Sequence, residues 1–165
     1  MTEGQGMSEK TGLDRRQFIG IAWAAAVVAF AVQATSAFIK FMTPELEPGA
    51  FGTKVRAGEV NEFEVGSVSF FREGRFYLVR LPAGFMALYR KCPHLGCAVP
   101  WDHALEEFNC PCHTSLFNRR GEVLSGPSPR PLDYFPVQII GDEVFVDTGQ
   151  LMTRQEFDVS QVAPV

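Results

Sequence analysis

The sequence predicts an all-β head of antiparallel strands, a sandwich or barrel, carried on one N-terminal transmembrane helix. Three observations carry this expectation. Gln17 to Ile39 is a run of 23 residues without a charge, dense in Ala, Val, Ile and Phe. Beyond the first 50 residues, apolar side chains fall in short runs rich in β-branched and aromatic types, separated by turn residues. No part of that later region sustains a helical period. At 165 residues the chain has room for one ordinary domain plus an appendage.

Residues 1–16 are expected as a cytoplasmic N-terminus, because Lys10, Arg15 and Arg16 place positive charge before the apolar run. Asp14-Arg15-Arg16-Gln17-Phe18-Ile19 also resembles a twin-arginine export signal, a route for domains already folded around a cofactor. Residues 17–42 are the transmembrane helix; at helical rise its uncharged stretch is long enough for a hydrocarbon core of about 30 Å. It exceeds the usual h-region of a cleaved signal, about 7 to 15 residues, and Lys40, Phe38 and Phe41 suit the far interface, so it is expected to be retained. Gln33, Thr35 and Ser36, its polar residues, are expected to face a partner or the outer interface. This topology leads to the expectation of a single-pass protein in the inner (cytoplasmic) membrane, with its head on the periplasmic, or extracytoplasmic, side.

Residues 43–58 read as a linker, since Thr43 to Gly52 holds two Pro and two Gly with no apolar period. Residues 59–165 form the head. Its expected strands are Glu62–Val65, Val68–Phe71, Phe76–Leu81, Met86–Tyr89, Val137–Ile140 and Glu143–Val146, the last two joined by a hairpin at Gly141-Asp142. Residues 150–165 carry no motif and are expected to pack along the sheet or against a partner. From residue 43 onward there are 11 Lys and Arg against 16 Asp and Glu, a net charge of −5. Nothing in that balance suggests nucleic acid.

Two runs, Cys92-Pro93-His94-Leu95-Gly96-Cys97 and Cys110-Pro111-Cys112-His113-Thr114-Ser115, hold all four cysteines and two of the three histidines. A Cys-x-His pair and a Cys-x-x-His pair, 15 residues apart, supply two thiolates and two imidazoles from two loops. A structural zinc more often takes C-x2-4-C and H-x3-5-H pairs, and two disulfides would leave both histidine offsets unexplained. A [2Fe–2S] cluster with two cysteines on one iron and two histidines on the other uses this donor set. His103 matches no motif and reads as a solvated loop residue.

The pattern resembles the Rieske iron–sulfur proteins, in particular the subunit of cytochrome bc-type quinol:cytochrome c oxidoreductases. That resemblance implies one [2Fe–2S] cluster on Cys92, His94, Cys110 and His113, a Cys97–Cys112 disulfide stapling the loops, and a Rieske-type head with two cluster-binding loops. Gly126-Pro127-Ser128-Pro129-Arg130-Pro131-Leu132 resembles the family's proline-rich loop, so Gly126, Pro127 and Pro129 are expected to cover the cluster. Cys97-Ala98-Val99-Pro100-Trp101 resembles the branch that serves plastoquinol and menaquinol. By the same resemblance Ser115 bonds a bridging sulfide, and His94 or His113 meets quinol in a pocket of cytochrome b before the electron passes to a c-type cytochrome. The implied assembly is a membrane-embedded hetero-oligomer within a dimeric complex. Two departures stand out: Thr114 occupies a position the family usually gives to Gly, and Phe117 replaces a Tyr whose hydroxyl bonds a ligand sulfur in high-potential members. The second departure predicts a lower potential and menaquinol as the donor. The alternative reading is the Rieske small subunit of a molybdenum oxidase such as an arsenite oxidase.

Overall fold

The structure, a computed structural model, describes residues 12–43 and 49–165. Lys10 and linker residues 44–48 lie outside them. The chain divides into an N-terminal unit and the head. The first is built on one helix, α1 (Arg15–Met42), whose 28 residues extend about 42 Å. Asp14 caps its start, and the Asp14 N–H donates to Gln17 Oε1 at 3.2 Å. None of its residues is buried, and it is long and apolar enough to cross a membrane. The Ser36 hydroxyl donates back to Gln33 O at 2.9 Å, so this polar residue needs no outside partner.

The head is antiparallel throughout, as expected. Its centre is a four-stranded sheet, β2 (Val68–Phe71), β3 (Phe76–Leu81), β4 (Gly84–Tyr89) and β9 (Tyr134–Phe135), in that spatial order. A second sheet sets β11 (Glu143–Asp147) between β1 (Lys54–Glu59) and β10 (Val137–Ile140). The third sheet is made of very short strands, β5 (Trp101–Asp102), β6 (Glu107–Asn109), β7 (Leu116–Phe117) and β8 (Val123–Ser125), in sequence order.

β3 and β4 are buried on both faces, which is why they read as nearly continuous apolar runs. Their side chains alternate between two cores. Phe76, Leu78, Phe85 and Ala87 pack with Val55, Phe135, Val144 and Val146 toward the second sheet. Tyr77, Val79, Leu81, Met86 and Leu88 pack the other way, with Val99, Phe108, Phe117, Leu132, Cys92 and Cys110. The first cysteines of the two runs are thus rooted in the same apolar layer that holds the third sheet onto the central one.

Two expectations are corrected. Glu62–Val65 is not a strand: Val60–Glu62 forms a 3-10 turn, and Gly66 and Ser67 follow in a turn whose amide Gly66 N donates to Arg80 O at 2.7 Å. Its alternating acidic and apolar side chains mimic a half-buried strand, but the chain is reversing there. The expected linker also ends earlier than residue 58, because Lys54–Glu59 is β1, paired with β11 from Lys54↔Asp147 to Glu59↔Glu143. Lys54, Arg56 and Glu59 face solvent, and only Val55 is a buried apolar anchor, so the strand has little hydrophobic signature. The hairpin at Gly141-Asp142 is as expected, with Gly141 at φ +63°. The C-terminal segment packs on the sheet, with Ala163 bridging Phe85 and Met152 bridging Tyr134.

Candidate metal centre

Each Cys/His run folds into the same six-residue loop. In the first, Cys92 N donates to Cys97 O (2.8 Å) and Gly96 N to Cys92 O (2.9 Å). In the second, Cys110 N donates to Ser115 O (2.9 Å) and Thr114 N to Cys110 O (3.0 Å). A Lys91↔Ala98 bridge closes the first loop, and the Asn109↔Leu116 pair of β6 and β7 closes the second. The two bonds in each loop require a left-handed residue at the fifth position, filled by Gly96 (φ +81°) and Thr114 (φ +56°). Thr114 therefore keeps the turn that glycine would give, and its hydroxyl donates to His113 O at 2.8 Å.

In the two copies the first position is Cys92 or Cys110, followed by Pro93 or Pro111, which fixes φ where the loop leaves the core. Both thiols are buried and unbonded, at 3 % and 2 % exposure. Burial is the largest influence on Cys92 and pushes its thiol up; the backbone N–H of His94 pulls the other way, with that of Leu95 a smaller aid. Those N–H groups are placed to stabilise a metal-bound thiolate.

The histidines sit further out, at the tips. His94 is half-buried and His113 exposed, and their rings meet edge to face with centroids 4.9 Å apart. The remaining cysteines, Cys97 and Cys112, form a disulfide that ties the end of the first loop to the middle of the second, with Cα atoms 6.6 Å apart. The sulfurs of Cys97, Cys112 and Cys110 lie within 4.8 Å of one another. Two of these three are consumed in the disulfide, so that trio is not a ligand set. The free donors brought together are two inner thiols and two outer imidazoles.

A third loop packs against the second Cys/His loop. Gly126, at φ +95°, lies so close to the second loop that a Cβ there would stand 2.5 Å from Ser115 Cα and 2.9 Å from Thr114 O. Two residues on, Ser128 N donates to the fully buried Ser115 Oγ at 3.1 Å. The Ser115 hydroxyl accepts this bond and donates to no protein atom among the described residues. Pro127 and Pro129 are exposed on the outer side of the loop. Its far end is fixed by Arg130, which forks onto Asp133 (Nη2 to Oδ2 3.1 Å) with the guanidinium held above its ordinary range by that carboxylate.

These features fit a binuclear cluster better than a mononuclear zinc. A zinc needs its four donors around one point. Here the donors divide by depth, with two cysteines inside and two histidines outside, and a buried hydroxyl proton is left for a sulfide acceptor that zinc does not provide. Phe117, fully buried on β7, packs in the same apolar layer as Cys92 and Cys110 and offers the site no donor. Sequence reasoning missed Ser128, Asp133 and Arg154; none belongs to a Cys/His pattern, and Arg154 lies in the motif-free tail. His103 is exposed, its ring 6.4 Å from Trp101 and outside the site.

Two loops of mirrored hydrogen bonding, a disulfide between them and a donor set of two thiols and two imidazoles sorted by depth define an iron–sulfur protein. The sequence model of the Rieske [2Fe-2S] domain matches residues 51–136, more than half of the chain, and the protein belongs to that family, with a Rieske-type [2Fe–2S] cluster as its cofactor. The cytochrome b6-f complex iron-sulfur subunit of Parasynechococcus marenigrum is 30% identical over 155 residues, covering 84% of this chain and 87% of that one. The cytochrome b6-f complex iron-sulfur subunit 1 of a Synechocystis species is 30% identical over 148 residues, covering 80% and 83%. Among solved structures, a chain of a hyperthermophilic respiratory Complex III is 28% identical, covers 76% of this chain and 98% of its own, and superposes with a TM-score of 0.46.

Proposed function

We propose that this protein is the electron-transfer subunit of a cytochrome bc-type quinol:cytochrome c oxidoreductase, anchored by α1 with its head on the periplasmic side. Cys92 and Cys110 would hold one iron of the cluster, and His94 and His113 the other. A [2Fe–2S] cluster held there would supply a one-electron carrier between quinol at cytochrome b and a c-type cytochrome. The observation that carries this reading is the position of the two imidazoles, at the tip of the head and reaching solvent while the thiols do not. The ring nitrogen that is not bound to iron can accept the quinol hydroxyl's hydrogen bond and then its proton. His113 is the more exposed of the two, which supports giving it that role. Leu95, 70% exposed beside His94, offers apolar contact to a partner surface.

Ser115, held by Ser128, would donate its hydroxyl to a cluster sulfide, and Gly126 lets the third loop come close enough to hold it. Phe117 donates nothing, which supports a lower potential and menaquinol as the substrate. The kinship to b6-f iron–sulfur subunits supports this assembly over a molybdenum oxidase. The test is EPR of the dithionite-reduced membrane complex together with its subunit list. The expected result is a low-average-g Rieske signal, lost in His113→Ala, from a preparation containing a b-type and a c-type cytochrome. An unchanged signal in that variant overturns the ligand set, and a molybdopterin subunit in place of the cytochromes overturns the assembly.

A further inference from the structure

On the flank of the head, beside the first cluster loop, Arg75, Arg90 and Lys91 line one cavity of about 210 Å³ with Tyr89, Gly96 and Ala98. These cations are brought together by the fold, since Arg75 stands in the β2–β3 turn and the other two follow β4. Arg90 N donates to Arg75 O at 3.2 Å, which joins the turn to the loop entry. Arg75 is held at φ +56°, a conformation costly for a non-glycine residue, and its guanidinium stands over the Phe51 ring at 4.8 Å. Arg90 stands over Phe70 at 5.8 Å. The Lys91 stem lies across Gly96, where a Cβ would meet its Cε at 2.6 Å. None of the three pairs with a carboxylate among the described residues, although the head carries a net charge of −5 and ion pairs form elsewhere, as at Arg56–Glu143 and Arg119–Glu106. Three cations anchored on aromatic rings and glycine, around a concave space with no acidic side chain, leave one kind of occupant unprovided for.

We infer that this cavity is a binding site for an oxyanion, presented either as a free anion such as phosphate or as a carboxylate side chain. Its two guanidiniums offer planar forks and Lys91 a point charge, the combination suited to bidentate oxygen groups. The cavity adjoins the first cluster loop through Lys91 and Gly96 but is lined by none of Cys92, His94, Cys110 and His113, and it does not depend on the identity of the quinol or of the cytochromes.

The test uses the full-length holoprotein in detergent, titrated by calorimetry with inorganic phosphate and, separately, with glutarate as the carboxylate probe, at constant ionic strength in chloride. Saturable binding of either probe, weakened at least about tenfold in both Arg75→Gln and Arg90→Gln, is the expected result. Tighter phosphate binding marks a free anion, and tighter glutarate binding marks a protein carboxylate. Arg56→Gln, whose parent residue is paired with Glu143 elsewhere on the head, should bind as the parent does. An unchanged reduced EPR spectrum in the two cavity variants shows that the head is folded around its cluster when binding is scored. No saturable heat from either probe, or equal affinity in the cavity variants, overturns the inference while leaving the electron-transfer reading untouched.

Discussion

Thr114 holds a backbone conformation that costs an L-residue roughly 1 to 2 kcal/mol, and it does so because the second loop repeats the hydrogen bonds of the first, where Gly96 meets the same demand freely. Thr114→Gly should remove that strain, partly offset by the greater freedom of glycine in the unfolded chain, about 0.4–1 kcal/mol. The expected outcome is a head more stable by up to about 1 kcal/mol, read as a rise in Tm of a few degrees, with the EPR spectrum retained. Phe117 is a second residue where one atom decides the outcome. It is fully buried in the same apolar cluster as Cys92 and Cys110, so a hydroxyl added there has little solvent to bond, and a cysteine sulfur is its expected acceptor. A hydrogen bond to a charged acceptor is worth about 1.5–3 kcal/mol, which converts to roughly 65–130 mV for one electron at about 59 mV per tenfold. Phe117→Tyr should therefore raise the midpoint by some tens of millivolts, the exposed histidine side of the site reducing the full value. Protein-film voltammetry of the holoprotein checks it, and a midpoint unchanged or lowered removes the argument for menaquinol.

Among the elements, the part least legible in the sequence is the one that holds the metal. β3 and β4 could be read because six-residue runs such as Phe76 to Leu81 are apolar on both faces. β5 to β8 are two or three residues long, and their pairing is dictated by the loops between them, so no period of two can develop. The first donor of each loop, the histidine offsets and the glycine before Pro127 were visible as residue types; the disulfide partner choice came with the family resemblance. Arg154 left no local signal at all. It is 5 % exposed, and its guanidinium donates to Leu132 O and Gln161 Oε1, both at 2.8 Å, and to Arg120 O. Burial lowers its pKa to about 10, which still leaves it charged at neutral pH. It thereby ties the end of the proline-rich loop, the turn after β7 and the C-terminal segment to one cation. Arg154→Met keeps the volume but leaves two backbone carbonyls without their donor, each costing about 1–3 kcal/mol. The expected result is a loss of about 2–4 kcal/mol in denaturant unfolding, with the midpoint potential shifting as the loop over Ser115 loosens. A variant as stable as the parent would show that water replaces the arginine.

At the scale of the whole molecule, the compartment and the covalent structure have to agree. Cys97 and Cys112 are joined in a disulfide on the outer side of the loops, where Cys112 is exposed, and such bonds persist in oxidising compartments rather than in the cytosol. As the proposed cluster ligands, Cys92 and Cys110, which are free thiols, have the opposite need and must stay unoxidised until iron arrives. Folding around the cluster before crossing the membrane and closing the disulfide afterwards satisfies both, and a twin-arginine route provides that order. Arg15 and Arg16 open α1 and carry the only positive charges in its first turn. As simple topological anchors they would be replaceable by lysine, because charge alone sets orientation. As an export signal they would not. Arg15→Lys with Arg16→Lys therefore separates the two: the expected outcome is a head left on the cytoplasmic side, protected from protease added to intact spheroplasts, with Cys97 and Cys112 found as free thiols by mass mapping. A double-lysine variant whose head is digested from outside and whose disulfide is complete would show that charge, not the paired arginines, delivers the protein.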